Sequence, residues 1–289
     1  MKSYDIGIIM TCYNRKKLTL RCIEQLKRNN SLYSTTIYVC DDASTDGTFQ
    51  EIKKRFPEVV LIEGSGNLFW CRGMYQAMKK AAYNKHDLYL MVNDDVDFFE
   101  YSIEEMIDIY SMMTTSCGVV GYTVSRHDNR ITYGGRCAVF KTFLGRKIGI
   151  NRNYIVHSTK DKLVNCLLTN WNCFLIDNEI IERIGLIDCV YEHGIGDYDY
   201  SLMMNKAGIP VYVTRRPVGY CERNSRNNTF QDNKLKRNKR IKKLFSPKEY
   251  PIRSILHYHY KHWGIGGIMY AALIYINFII KIVLGKEIK

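Results

Sequence analysis

Along the first hundred residues, short apolar runs alternate with segments in which apolar positions recur every third or fourth residue. The runs at 5–10, 36–40, 59–62 and 88–92 are β-rich and bounded by polar residues, which predicts strands. Between them, 16–28 places Leu18, Cys22, Ile23 and Leu26 on one helical face, and 50–56 and 73–83 carry the same period. Strands separated by helices are βαβ units, so the pattern predicts an α/β fold with a Rossmann-like, mostly parallel central sheet flanked by helices. Beyond residue 100 it gives a helix at 102–113, then strands at 118–124 and 131–139 with a bend at Gly134-Gly135. An apolar stretch at 163–176 holds Trp171 and Asn172. It is followed by a helix at 179–184 closed by Gly185, a helix after Gly196 that stops at Gly208, and a strand at 211–213. Residues 141–165 show no clear period.

Three strands end in polar clusters: Thr11-Cys12-Tyr13-Asn14-Arg15, Asp41-Asp42-Ala43-Ser44-Thr45-Asp46-Gly47 and Asn93-Asp94-Asp95-Val96-Asp97. Ligands of open α/β sheets bind outside the carboxyl ends of the strands, so all three clusters are expected to face one crevice. In an extended run residues two apart share a side, which puts Asp95 beside Asn93 and Asp97 and turns Asp94 away. Carboxylates packed in this way repel unless they are solvated or neutralised. Hard oxygen ligands of this kind suit Mg2+ or Mn2+ shared with a diphosphate, and a solvated acidic turn fits the same spacing. In the second cluster Thr45 or Asp46 suits the cap of the next helix, whereas Asp41 or Asp42 could accept hydrogen bonds from a pyrimidine N–H and ribose hydroxyls. Asp197 follows Gly194-Ile195-Gly196 at a helix start. It reads either as a cap, with Asp199 favoured by the helix dipole, or as a general base beside Tyr198 and Tyr200.

Composition narrows the class. With 46% hydrophobic residues, 25% charged residues and 5 prolines, the chain is globular, which excludes disordered and collagen-like sequences. The net charge of +13 is concentrated: residues 1–221 carry 27 basic and 25 acidic side chains, residues 222–289 carry 15 and 4. Ten cysteines without Cys-x-x-Cys spacing, behind an N-terminus without an apolar leader, point to a reducing cytosol and to small buried residues rather than disulfides or zinc ligands.

Taken in this order, the three clusters and the Gly-Asp-Tyr-Asp-Tyr helix start resemble the family 2 glycosyltransferases with the GT-A fold, from about Asp5 to about Val213. The resemblance implies an inverting transfer from a nucleotide-diphospho sugar, UDP- or dTDP-linked, to a hydroxyl of a saccharide or lipid-linked saccharide in surface polysaccharide synthesis. It implies a nucleotide-binding half to residue 100 and an acceptor half at 101–221. Thr11, Tyr13, Asn14 and Arg15 match one motif and Asp41, Asp42, Ser44, Asp46 and Gly47 a second, both on the nucleotide side. Asn67, Trp70 and Arg72 match a donor-side loop. Asn93, Asp94 and Asp95 match the Asp-x-Asp position, with Asn in place of the first acid, so Asp95 becomes the metal ligand and Asp97 its substitute partner. Asp197 keeps the catalytic position of a motif usually written Glu-Asp, as in a subgroup with Gly-Asp-Tyr-Asp. Trp171 and Asn172 align near the acceptor with Tyr198, although Trp171 suits a core position equally well. Mn2+ or Mg2+ is the implied cofactor.

The extension at 222–289 joins seven basic residues in 234–243 to an uncharged segment at 264–280. Ile265, Met269, Leu273, Ile276 and Ile280 are spaced along one helical face. At seventeen residues the segment is shorter than the roughly 20 that span a bilayer, so the expectation is an interfacial helix on the cytoplasmic face of the cell membrane, with Lys and Arg facing anionic lipid. His257, His259 and His262 lack the spacing of a metal site. Two other readings stay open. One is a nucleotide-sugar-binding subunit without activity, on account of Asn93 and Gly196. The other, less favoured because the tail has no recognised nucleic-acid fold, is salt-sensitive nucleic-acid binding through the basic tail.

Overall fold

The computed structural model describes residues 3–28 and 33–288. Its first half alternates as expected: β1 (Asp5–Cys12), α1 (Lys16–Arg28), β2 (Ser34–Asp41), α2 (Thr48–Arg55), β3 (Val60–Glu63), α3 (Phe69–Asn84) and β4 (Leu88–Val92). Then follow β5 (Asp97–Phe98), α4 (Ser102–Ser111), β6 (Gly118–Val120), β7 (Thr123–Val124), β8 (Ile131–Tyr133), β9 (Gly135–Phe143), β10 (Arg146–Ile155), β11 (Leu168–Thr169) and β12 (Cys173–Asp177). The chain ends with α5 (Asn178–Ile184), α6 (Gly196–Lys206), β13 (Val211–Val213), β14 (Gly219–Tyr220), α7 (Arg237–Leu244) and α8 (Ile252–Val283).

The main sheet has the order β13-β6-β12-β4-β1-β2-β3. Strands β3, β2, β1 and β4 are mutually parallel, and β12 runs antiparallel between β4 and β6. Side-chain alternation buries both faces: Ile6, Ile8 and Met10 of β1 pack with α1, while Ile9 joins Met74, Ala77 and Met78 of α3. This order places the ends of β1, β2 and β4 side by side.

The run at 118–124 is two strands in two sheets, because the chain leaves the main sheet after Val120. The run at 131–139 likewise breaks at Gly134. The unreadable 141–165 contains most of a hairpin, β9 against β10, whose largely exposed side chains impose no apolar period. Helix α3 begins at Phe69, four residues before the predicted start, which brings Trp70 and Arg72 into its first turn. All ten cysteines are free, and eight of them are buried.

The extension is anchored to the sheet domain. Helix α8 begins well before the uncharged segment, and Tyr258 joins the core beneath the second face. Lys261 Nζ lies 2.7 Å from Asp199 and 3.2 Å from Asp188, and His262 and His257 donate to the same two carboxylates at 2.7 and 3.0 Å. At Gly264 the helix breaks (φ 59°, ψ −144°), a left-handed conformation that glycine adopts without steric penalty. Beyond it, Ile265, Met269, Leu273, Ile276 and Ile280 are each 50–75% exposed. By length and composition the α8 span as a whole is long and apolar enough to cross a membrane, but the break at Gly264 divides it, and the uncharged run at 264–280 lies on its second part. Its opposite side is held by protein, through Tyr270 on the Ile150 carbonyl and Phe278 on Phe230.

Candidate active site

A cavity of about 280 Å³ opens at the ends of β1, β2 and β4, lined by Thr11, Tyr13, Arg15, Asp42, Trp70 and Asp94 among others. The loop after β1 is stitched to the loop after β2: the Asn14 N–H donates to Ser44 Oγ at 2.9 Å, and Asn14 Oδ1 accepts from the Thr45 N–H at 2.7 Å. Asn14 is therefore a strut between two loops. Asp46, one residue before the Gly47 cap of α2, accepts from the first N–H groups of both α1 (Lys16) and α2 (Thr48) at 3.0 Å, so it ties the two helix starts together where a cap was expected.

The two acids after β2 divide their work. Asp42 accepts from the backbone N–H groups of Gly66, Leu68 and Phe69 at 2.8–3.0 Å, fixing the loop that leads into α3. Asp41 accepts from the Ser44 N–H, is wholly buried and does not line the cavity, and its Oδ2 has no partner among the described residues. Burial pushes its carboxyl above the ordinary range.

After β4 the chain turns instead of extending, which changes the expected placement of the acids. Asp94 and Asp95 both point at Arg15, whose Nη1 donates to them at 3.0 and 2.9 Å. Asp94, expected to face away from Asp95, lines the cavity at the ends of β1, β2 and β4. Burial pushes its carboxyl up to about 6 against the opposing pull of Arg15. Asp97 lines the same cavity as Asp95, and its oxygens accept from Gln25 and Arg126, with Arg21 at 3.7 Å. Asn93 accepts from Trp70 Nε1 at 2.8 Å and so orients that ring.

The donor-side loop is also only partly in the cavity. Trp70 lines it. Arg72 turns to the Cys189 carbonyl and to Glu192, and Asn67 is exposed away from it. His193 and Lys248, which no motif singled out, complete the wall. Burial, with Lys248 and Arg15 nearby, lowers the His193 pKa to about 4, so its ring is neutral.

Asp197 sits in the first turn of α6, with Oδ1 on the Tyr198 N–H at 2.9 Å and Oδ2 facing Asn170 Nδ2 at 3.4 Å. Burial raises it to about 6. A Cβ at Gly196 would lie 2.4 Å from Cys71 Sγ, so the helix start that bears Asp197 rests directly on the first turn of α3, beside Trp70. The same contact explains why no Glu precedes Asp197: a side chain there has no room. Tyr198 is half-buried, and its phenol is pushed up to about 12. Trp171 and Asn172 belong to the interior. Trp171 stacks on Phe174 and meets Tyr200 and Trp70 edge-on at 5.1 and 6.1 Å, and Asn172 is buried against Cys221.

Asp95 lines an adjoining cavity of about 400 Å³, with one oxygen on Arg15 and the other 3.8 Å from the Cys221 thiol. No group of three or more His, Cys, Asp or Glu is placed to cage a metal among the described residues. Mg2+-type sites use one or two carboxylates completed by water and substrate phosphates, and Asp95 with Asp94 beside it fits that kind of site.

A family model, Glycosyl transferase family 2, matches residues 7–164, which contain three of the four motifs around these cavities. The chain belongs to glycosyl transferase family 2. This family 2 enzyme is 33% identical over 108 residues to Protein RfbJ of Shigella flexneri, a stretch covering 37% of this chain and 76% of the relative. Its fold matches a mannosyltransferase of Pyrobaculum calidifontis solved with GDP-Man and Mn2+, at TM-score 0.54 and 14% identity over 99% of this chain and 74% of that one. It also matches GalNAc-T7 solved with UDP, GalNAc and Mn2+, at TM-score 0.59 and 14% identity over 77% of this chain and 44% of that one.

Proposed function

We propose that this family 2 glycosyltransferase moves a sugar, with inversion, from a UDP- or dTDP-linked donor to a hydroxyl of a saccharide or lipid-linked saccharide in surface polysaccharide synthesis. The observation that carries this reading is the convergence of Thr11, Arg15, Asp42, Trp70 and Asp94 on one cavity whose wall also supports the helix start bearing Asp197. The acceptor oxygen bonds to the anomeric carbon as the bond from that carbon to the diphosphate oxygen breaks on the opposite face. The hydroxyl proton passes to Asp197, whose carboxyl near 6 is ionised at neutral pH and basic enough to take it. Arg15 and Lys248 place positive charge where the leaving diphosphate gathers negative charge. A divalent cation, Mn2+ or Mg2+, bound at Asp95 would add to that stabilisation.

The test is thermal unfolding with a panel of nucleotide sugars. A cognate donor at about 100 times its Kd, with Mn2+ or Mg2+, should raise Tm by about 5 °C. Asp95→Ala should abolish the cation-dependent part of that shift. A panel that leaves Tm unmoved at every base overturns the reading.

We further propose that the enzyme works on the cytoplasmic face of the cell membrane, with the exposed apolar face of α8 seated in the lipid boundary. Each buried Leu or Ile contributes about 1.5–3 kcal/mol. Leu273→Glu with Ile276→Glu, both on the exposed face, should therefore cut binding to anionic vesicles by at least about 100-fold without lowering Tm. Unchanged sedimentation with vesicles would refute the assignment.

A further inference from the structure

A third cavity, of about 760 Å³, adjoins the donor side and is built largely by the extension, from residues 224–231, Lys243, Ser246 and residues 248–250. Arg15, His193 and Lys248 line both cavities, and Ile195, two residues before Asp197, lines the larger one. The larger cavity thus lies across the Arg15–His193–Lys248 wall from the donor pocket, beside the helix start that bears the base.

Its chemistry is of two kinds. Amide side chains such as Asn224, Asn227, Asn228 and Gln231 offer both donors and acceptors, which is what sugar hydroxyls require. Arg226, Lys243 and Lys248 add three cations against one acid, Glu249. Among the described residues none of these three makes a side-chain hydrogen bond or an ion pair. Among the described residues the neutral His193 also presents a buried Nδ1 without a partner. Lys243 faces Glu249, Arg226 and Lys248 are exposed, and this excess of cations in a polar, amide-lined cavity is suited to an anionic sugar.

Resting on the transferase reading, we propose that this cavity is the acceptor subsite and takes a saccharide carrying a phosphate or diphosphate. Arg226 and Lys243 hold the phosphate, the amides hold the sugar, and the attacking hydroxyl reaches Asp197 past Ile195. Phe230 and Tyr250, on the cavity wall, pack on Phe278 of α8 at 5.2 and 5.0 Å. The subsite is therefore tied to the helix with the exposed apolar face, and an acceptor held at a lipid surface would arrive beside it.

Phosphate could enter the larger cavity from the donor or from the acceptor, and calorimetry with inorganic pyrophosphate separates the two. The full chain saturated with UDP should still bind pyrophosphate. The double variant Arg226→Gln, Lys243→Gln, which leaves the donor cavity untouched, should bind it about tenfold or more weakly with UDP affinity unchanged. Exclusion of pyrophosphate by UDP, or equal pyrophosphate affinity in the variant, overturns the subsite. Failure of UDP, GDP and dTDP alike to bind would refute the donor reading instead, and the pyrophosphate titration of wild type against variant would still decide the subsite.

Discussion

Asp197→Asn is expected to slow sugar transfer by about 10² to 10⁴-fold, the usual contribution of a positioned general base, while nucleotide-sugar affinity stays within about twofold. The substitution is nearly isosteric. The amide oxygen can still accept from the Tyr198 N–H, so the start of α6 and the donor wall behind it keep their shape. What is lost is the ability to take a proton. The pH profile gives a second, independent readout. Burial raises Asp197 to about 6, and the group works only when ionised, so wild-type transfer falls as pH drops through 6 and is level above it. Asp94, also raised to about 6 by burial, adds to the steepness of the acid limb, because its protonation weakens the grip of Arg15. In the Asn variant the part of that limb due to Asp197 disappears. A variant with full turnover, or an unaltered acid limb, would remove Asp197 from the chemistry.

That carboxyl also shows what a sequence can and cannot reveal. A helix N-terminus should hold a carboxylate low, but the dipole contributes only about 0.3–1 kcal/mol, less than one pKa unit. Burial of Asp197 outweighs it, and the helix start that bears it lies against Cys71, more than a hundred residues away. The alternating core of β1, β2 and β4 was legible because a strand buried on both faces leaves a continuous apolar run. The strand-end clusters were legible as a site, but not how each acid is used: Asp42 faces backbone donors at 66–69, and Asp97 faces Arg126. Of the expected alternation across Asn93, Asp95 and Asp97, the last two do share a cavity from which Asp94 is absent, whereas Asn93 turns to Trp70 because strand geometry ends at Val92. His193 and Lys248 carry no local motif, and only the return of the extension to the sheet brings them together.

Asp199→Ala should have the largest effect on stability, lowering the free energy of unfolding by about 3 kcal/mol, as expected when one partner of a buried ion pair is removed. The carboxylate is 1% exposed and is the meeting point of Lys261 and His262 on α8. Burial lowers the His262 pKa despite the neighbouring carboxylate, so the ring is held as a neutral donor and Lys261 supplies the positive charge. Removing Asp199 leaves Lys261 with Asp188 alone at 3.2 Å and leaves the His262 N–H without an acceptor in a closed aromatic setting beside Tyr258 and Trp263. Asp188→Ala is the control. That carboxylate is 24% exposed, so its loss should be much less destabilising. Because α6 carries Asp197 and Asp199 on the same two turns, loosening α8 should also disturb the base, and transfer should fall in Asp199→Ala well beyond the loss of folded protein. Denaturant unfolding and proteolysis of α8 measure the two consequences separately. Wild-type unfolding with α8 still protected would show that the helix is held by its apolar contacts and that the buried carboxylate is incidental to docking.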